Sequence, residues 1–170
     1  ACFAIGIRPS GSQDPYALRR QALGVVNILT ETNIKTDLRL IINAACQGLV
    51  NVKTEGDVQQ ITDELMDFIR QRQRGILLDK GFAFDAIDAV LALSLSDLND
   101  IQERVKAVQE YKATEKYDDF MVVFNRSHNL SKKWASTVVN VEYLEDKSEQ
   151  ALYQHLLQAQ PSVSQCLQAR

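Results

Sequence analysis

The chain has 170 residues, of which 45% are hydrophobic and 24% are charged, and its formal net charge is −3. These values are typical of one globular domain, or of one domain and part of another, and they exclude a disordered chain. No apolar run approaches the ~20 residues of a membrane-spanning helix, so we expect no membrane association. Because the chain is acidic overall, nucleic acid binding would require local clusters of positive charge.

The cysteines and histidines predict neither a disulfide framework nor a metal site. Cys2, Cys46 and Cys166 lie far apart, and the chain has only two histidines. An odd number of separated cysteines fits the reducing cytoplasm, where we expect the protein to be located. The first residues lack a starting Met and the features of a signal peptide, so we expect an interior segment of a longer chain.

The first predicted helix begins in the segment DPYALRRQALG. Asp14 is a suitable N-cap, and Pro15 suits the first helical position because no N–H group is needed there. Apolar residues then follow at helical spacing, namely Leu18, Ala22, Val25 and Leu29. Arg19 and Arg20 fall off this stripe, which predicts that they lie on the surface.

A second predicted helix, about residues 36–50, is apolar on most sides, which indicates burial. The polar stretch NVKTEGD follows it. We predict a domain boundary here, between a region of residues 1–50 and a region of residues 51–170.

The second region is expected to be built around one long helix. Thr54, followed by Asp57 three residues later, has the form of a capping box, and Gly81 is suited to end the helix in a left-handed conformation. Four shorter helices are predicted at about residues 85–93, 97–112, 118–137 and 148–158. We therefore predict an all-α fold, a bundle of antiparallel helices with short connections.

Two charged residues interrupt apolar stripes in this region. Arg72 falls between Phe68 and Ile76, and Asp88 falls within the stripe of the next helix. A buried arginine must be paired, because an uncompensated buried charge costs several kcal/mol. We predict an ion pair between Arg72 and Asp88 across the turn at Gly81, with an RNA contact of Arg72 as the alternative.

The long helix also has an uneven charge distribution. Residues 54–67 include five acidic side chains and no basic one, whereas residues 68–80 include four basic side chains and one acidic one. The helix macrodipole favours this polarity but acts only over the end turns. Helix stability therefore explains only part of the gradient.

A second basic cluster lies in the segment NRSHNLSKKW, residues 125–134. On a helix, Arg126, Asn129 and Lys133 would share one face. Cationic donors with an amide among them suit phosphate oxygens and base edges, although a solvated surface is the alternative. His128 has no second metal ligand nearby, and we interpret it as a surface or cap residue.

Catalytic patterns are missing from the sequence. It has no glycine-rich phosphate loop, no His-Glu-x-x-His, no Gly-x-Ser-x-Gly and no carboxylate pair beside a nucleophile. We therefore predict no catalytic residue and no metal ligand in these 170 residues.

Several segments carry motifs that together are typical of one protein family. In FAIGIRPSGSQDPYALRRQALGVVNIL, Ser10 stands for the usual Thr and Tyr16 for the usual Phe. The arginine-rich segment FIRQRQRGILLDKGFAFDAIDAVLA, the stretch FNRSHNLSKK and the segment EQALYQHL add three further matches. On these residues the chain resembles the C-terminal part of the β subunit of bacterial two-subunit glycyl-tRNA synthetases, including its anticodon-binding domain.

The resemblance implies a glycine–tRNA ligase in which the α subunit activates glycine with ATP and magnesium and the β subunit recognises tRNA. Residues 51–170 would form a C-terminally truncated helical anticodon-binding domain similar to that of the arginyl enzyme. Residues 1–50 would be the tail of a preceding HD-like domain. No cofactor is expected in this segment, and its partners would be glycine tRNA and the α subunit. Arg19 and Arg20 belong to the family signature, which implies structural or interdomain contacts.

We therefore predict a tRNA-binding module with two basic walls around one groove. Arg126, Asn129, Lys132 and Lys133 are predicted to form one wall, and Arg70, Arg74 and Lys80 the other. The alternative is a helical protein-interaction module that docks the α subunit or other β-subunit domains, and the apolar stretch at residues 38–50 favours it.

Overall fold

The structure is a computed structural model that describes residues 1–14, 16–49, 52–134 and 136–168. Within these ranges the chain is all-α, as predicted, with seven α-helices, two short 3-10 turns and no β-strand. The 3-10 turns are Phe3–Ile5 and Val141–Tyr143. The helices are α1 Leu18–Glu31, α2 Leu38–Gln47, α3 Val58–Asp79, α4 Phe84–Leu91, α5 Leu98–Lys112, α6 Lys116–Ser131 and α7 Lys147–Gln168.

The chain divides into two compact units, Ala1–Met121 and Val122–Arg170, so that α6 begins in unit 1 and ends in unit 2. The predicted domain boundary falls on residues 50 and 51, which lie outside the described residues, and it stays a prediction.

Unit 1 is organised around α3, which packs against α1, α2, α4 and the first 3-10 turn. Helix α5 packs against α1 and α4. The buried apolar side chains of these helices form one core, which includes Val26, Ile42, Met66, Leu77, Ile87, Leu98, Ile101 and Val105. Each helix of unit 1 therefore buries one apolar face against the others, and this burial is the main stabilising contribution to the unit.

Aspartates cap three helices of unit 1. Asp37, Asp57 and Asp97 lie in extended conformation just before α2, α3 and α5, and their carboxylates accept hydrogen bonds from first-turn N–H groups. The predicted capping box is therefore wrong in one respect. Thr54 does not cap α3, because its hydroxyl donates to the carbonyl of Gly56 at 3.3 Å.

The start of α1 also differs from the prediction. The helix begins at Leu18 after Ala17, whose φ is +53°, so Asp14 is not the N-cap residue. Its carboxylate nevertheless accepts hydrogen bonds from the N–H groups of Leu18 at 2.7 Å and Arg19 at 3.0 Å. Pro15, predicted at the first helical position, lies outside the described residues.

The predicted end of α3 at Gly81 is confirmed. Gly81 has φ of +87°, its N–H donates to the carbonyl of Leu78, and the N–H of Phe82 donates to the carbonyl of Leu77. These two bonds define a Schellman motif, which favours glycine because other residues are strained in the left-handed region. The turn directs the chain from α3 into α4.

The loop between α1 and α2 is tied to the start of α5. The buried Asn99 donates from its amide nitrogen to the carbonyls of Leu29 at 3.0 Å and Ile34 at 2.8 Å. The capping carboxylate of Asp97 also accepts from the N–H of Thr36 at 3.1 Å. The first helices and α5 therefore belong to one packed unit.

Unit 2 contains the second half of α6, the turn Val141–Tyr143 and α7. No side chain in its described part, residues 122–134 and 136–167, is buried. Two predicted bounds are wrong here: α6 ends at Ser131 rather than near residue 137, and α7 continues through Pro161 to Gln168 rather than ending near residue 158. Apolar spacing does not locate helix ends, because it reports only which face is apolar.

Candidate nucleic-acid interface

The second half of α6 and the residues after it form a stretch of unit 2 with a single sign of charge. We call residues 122–141 the basic segment, because they include Arg126, Lys132 and Lys133 and no Asp or Glu. These three side chains are exposed. Within the described ranges none of them forms an ion pair, so their charge is not neutralised by an acidic group of the protein.

An amide lies among these cations. Asn129 is exposed on the last turns of α6, and its Oδ1 accepts a hydrogen bond from the Nζ of Lys132 at 2.9 Å. This bond uses only the amide oxygen, so the two N–H donors of Asn129 are not engaged by it. The ammonium group of Lys132 supplies positive charge beside them. The pair therefore offers both a donor for a base edge and a cation for a phosphate.

The predicted common helical face is only partly correct. Arg126 and Asn129 lie on α6, but Lys133 lies beyond its last residue, Ser131. The N–H of Trp134 donates to the carbonyl of Ser131, which closes a turn after the helix. The position of Lys133 is therefore set by this turn and not by helical spacing.

The second predicted set lies in unit 1, and each member has a partner there. Arg70 donates to the carbonyl of Leu95 at 2.7 Å and has Asp67 at 3.7 Å. The Nζ of Lys80 donates to Oε1 of Gln102 at 2.8 Å. Arg74 is bonded to an aspartate on α4. A phosphate contact by any of these three would have to compete with, or add to, an existing bond.

A surface cavity of about 260 Å³ brings Arg70 and Arg74 together. It is also lined by Asp67, Gln71 and Leu91. The Nε of Arg70 is buried and has no hydrogen-bond partner among the described residues. Because the two predicted sets belong to different units, the groove between them stays a prediction.

The predicted ion pair between Arg72 and Asp88 is wrong. Asp88 is bonded by Arg74, with Nε to Oδ1 at 2.7 Å and Nη2 to Oδ2 at 3.0 Å. Arg72 and Arg74 are two residues apart and therefore point to opposite sides of α3, at 100° per residue, so that only Arg74 reaches α4. Arg72 does have partners, as predicted, but Asp88 is not one of them.

Arg72 is instead held by an aromatic ring and two oxygens. Its guanidinium carbon lies 3.8 Å from the ring centroid of Phe68, and its Nη1 donates to the carbonyl of Phe68 at 3.0 Å and to Oε1 of Gln71 at 2.9 Å. A cation over a ring face is attracted by the ring quadrupole. Burial lowers the pKa of Arg72, nearby Arg19 lowers it further, and Asp14 opposes both.

The Arg74–Asp88 pair changes the pKa of both partners. The hydrogen bond from Arg74 lowers the pKa of Asp88, and the bond to Asp88 raises the pKa of Arg74. Both side chains are largely exposed, so the pair is screened by solvent.

The two arginines of the first motif have different environments. Arg19 donates from Nη2 to the carbonyl of Gly11 at 2.8 Å and from Nη1 to the carbonyl of Gln13 at 3.5 Å, so it fixes the loop before α1. Arg20 is exposed, and no bond joins its side chain to another described residue. The structure therefore gives Arg19 a structural contact and assigns none to Arg20.

The basic segment contains a pair of stacked rings that was not predicted from the sequence. The ring of Phe124 and the imidazole of His128 are parallel, with an interplanar angle of 2° and centroids 5.9 Å apart. Their four-residue spacing on a helix was the signal, because side chains at i and i+4 are neighbours. His128 is exposed, as interpreted, but it is also part of a ring pair.

The described ranges contain neither a metal-binding cluster nor a membrane-spanning helix. No cluster of three or more His, Cys, Asp or Glu side chains there could hold a metal ion. No helix in this part of the chain combines the length and the hydropathy needed to cross a bilayer.

Comparison with known proteins decides the family. A family model described as the glycyl-tRNA synthetase beta subunit matches residues 1–92, which is more than half of the chain. The chain belongs to this family. The matched part ends just after α4, so the basic segment lies beyond it.

Similarity to curated members of the glycyl-tRNA synthetase β-subunit family extends over the rest of the chain. The glycine–tRNA ligase beta subunit of Syntrophomonas wolfei is 46% identical over 169 residues, which cover 99% of this chain and 25% of the relative. That of Desulforamulus reducens is 41% identical, covering 99% of this chain and 24% of the relative. That of Clostridioides difficile is 32% identical, covering 97% and 24%. The chain thus spans about a quarter of the length of these relatives.

Proposed function

We propose that this segment is the tRNA-binding part of a glycyl-tRNA synthetase β subunit and that it contacts the anticodon arm of glycine tRNA. The observation that carries the proposal is the basic segment, whose three exposed cations have no acidic partner in the described part of the chain. Phosphate contacts by Lys and Arg supply most of the sequence-independent affinity for a nucleic acid. An acidic chain can therefore bind RNA through this local region.

Within this proposal the residues divide into two roles. Arg126, Lys132 and Lys133 neutralise backbone phosphates, and the amide of Asn129 reads a base edge. Unpaired anticodon bases are accessible to such reading, because they can be turned out of the loop and bonded on their pairing edges. The second set, Arg70, Arg74 and Lys80, remains part of the proposal as an additional phosphate-binding wall.

The wider assignment follows from the family. In this proposal the segment contributes to glycine–tRNA ligase activity only as part of a holoenzyme, whose α subunit would bind ATP and magnesium and activate glycine. The helices from α3 onward would correspond to an antiparallel bundle similar to the anticodon-binding domain of the arginyl enzyme. The helices before it would be the remnant of an HD-like domain. No catalytic residue is assigned to this chain.

Filter binding of the 170-residue chain tests the proposal directly. The RNAs are glycine tRNA and the same tRNA with an altered anticodon, each at two salt concentrations. Replacement of Arg126 and Lys133 by Ala should weaken binding and reduce the slope of log affinity against log salt by ~0.7–0.9 for each lost phosphate contact. Replacement of Lys53 and Lys106, two exposed lysines of unit 1, removes the same charge and serves as the control. Equal slopes for the two double variants would exclude these residues as phosphate ligands.

A second function, docking of the α subunit or of other β-subunit domains, is favoured by exposed apolar side chains on α1 and α2. Ile28 is 60% exposed, Leu40 67% and Ile41 48%. An apolar cavity of about 340 Å³ lies between α1, α2 and α3. If this surface binds a protein, Leu40→Asp should abolish copurification with the α subunit and leave tRNA affinity unchanged. Unchanged copurification would remove the support for this function.

A further inference from the structure

The ring pair of Phe124 and His128 lies on the same part of α6 as the basic segment. The two rings are one helical turn apart, parallel within 2°, and separated by 5.9 Å between centroids. Both are exposed, Phe124 by 49%. The pair therefore presents flat ring surfaces on a helix that also carries Arg126 and Asn129.

We propose that Phe124 and His128 form a stacking platform for one unpaired nucleobase of the bound RNA. This inference rests on the proposed function and adds to it a site that the charged residues cannot supply. Base–aromatic stacking accepts any of the four bases, because each base has a π face. The platform would thus hold a turned-out base, whichever of the four bases it is.

The surroundings of the ring pair favour a nucleotide over an apolar protein partner. Every base brings a phosphate with it, and the basic segment has three cations and no acidic residue to oppose that charge. Lys132, whose Nζ bonds to Asn129, follows His128 by four residues, so that an ammonium group accompanies the rings. Apolar docking would gain nothing from these charges and would have to desolvate them.

Stacking and phosphate binding are separable by their response to salt. Removal of a phosphate contact lowers the salt slope, because fewer counterions are released. Removal of an aromatic ring leaves the number of phosphate contacts unchanged. The variants Phe124→Leu and His128→Ala should therefore weaken binding about tenfold at every salt concentration, with the wild-type slope retained.

The experiment uses the 170-residue chain and an RNA hairpin of the glycine anticodon stem and loop, with 2-aminopurine at one unpaired position at a time. Wild-type protein should quench the fluorescence at one loop position. Phe124→Leu and His128→Ala should lose this quenching, and His128→Tyr should keep it because the ring is retained. Leu130→Ala, a change at an exposed apolar residue of the same helix, should bind as the wild type does. Far-ultraviolet circular dichroism establishes that each variant keeps its helix content.

The outcomes separate the two proposals. In one outcome, the wild type binds the hairpin, the slope of its log affinity against log salt depends on Arg126 and Lys133, and the ring variants bind and quench as the wild type does. This outcome excludes the platform and leaves the proposed function standing. If the wild type does not bind the hairpin, both are excluded. If only Phe124→Leu weakens binding while the helix content falls, the ring is structural, and an unchanged His128→Ala then overturns the platform.

Discussion

Arg74 of α3 and Asp88 of α4 form a two-bond ion pair, with Nε to Oδ1 at 2.7 Å and Nη2 to Oδ2 at 3.0 Å. Two guanidinium nitrogens each donate to a different carboxylate oxygen, and this paired geometry makes arginine selective for a carboxylate. The pair joins the two helices on either side of the Gly81 turn. Arg74, and not the predicted Arg72, is therefore the partner of Asp88.

The stability contributed by this pair should depend on pH. The pKa of Asp88 is lowered from its usual value of 3.8 in the folded state, so its stabilisation is complete above that value and is lost as the pH falls through the lowered pKa. Asp88→Asn cannot ionise. Urea unfolding should show that the variant is less stable than the wild type at pH 7. The difference should disappear in acid, at a pH below both the usual pKa of Asp88 and its lowered pKa in the folded state.

A double-mutant cycle distinguishes the two arginines as partners of Asp88. The losses from Arg74→Met and Asp88→Asn should not be additive, because both remove the same pair. The losses from Arg72→Met and Asp88→Asn should add. Coupling of Arg72 and Asp88 would contradict the pairing described here and restore the pairing that the sequence suggested.

Arg72 should contribute to stability through Phe68. Arg72→Met keeps the apolar stem of the side chain and removes the cation, which should lower the free energy of unfolding by about 1 kcal/mol. In a background that carries Phe68→Leu, chemical denaturation should show a much smaller effect of Arg72→Met. An equal effect in both backgrounds would exclude the ring as its partner.

The two glycines near the end of α3 should respond to alanine in opposite directions. Gly81 has φ of +87°, so Gly81→Ala places a Cβ in the left-handed region and should destabilise the fold by about 1 kcal/mol. Gly75 lies within α3, and a Cβ there would meet open space. Gly75→Ala should therefore stabilise by ~0.5–1 kcal/mol through helix propensity. Thermal unfolding measures both, and a shift of the same sign for both would contradict this account of the turn.

Asn129 should affect the choice of RNA more than the affinity for RNA. In the proposed function its amide reads a base edge, so Asn129→Ala should reduce the discrimination between glycine tRNA and an altered-anticodon tRNA about tenfold, or ~1.4 kcal/mol. Competition binding measures this ratio. Ser127→Ala, on another face of α6, is the matched control. Equal losses for every tRNA would show that Asn129 binds the backbone only.

The number and order of the helices could be predicted from the sequence, because apolar residues at i, i+3, i+4 and i+7 report which side of a helix is buried. The end of α3 at Gly81 was also predicted, since few residues other than glycine adopt a left-handed conformation at low cost. The ends of α6 at Ser131 and of α7 at Gln168 were not predicted, because apolar spacing records which face of a helix is apolar and not where the helix ends.

The sequence by itself determined the all-α class, the family and the absence of acidic residues from the basic segment, because composition and motifs are independent of packing. Only the tertiary structure decided which arginine reaches Asp88 and which side chain covers Phe68. An arginine has four rotatable bonds, and a difference of two positions turns it to the other side of α3. The ring pair of Phe124 and His128 also required the structure. A spacing of four residues on a helix brings two side chains together, but it does not set the angle between their rings.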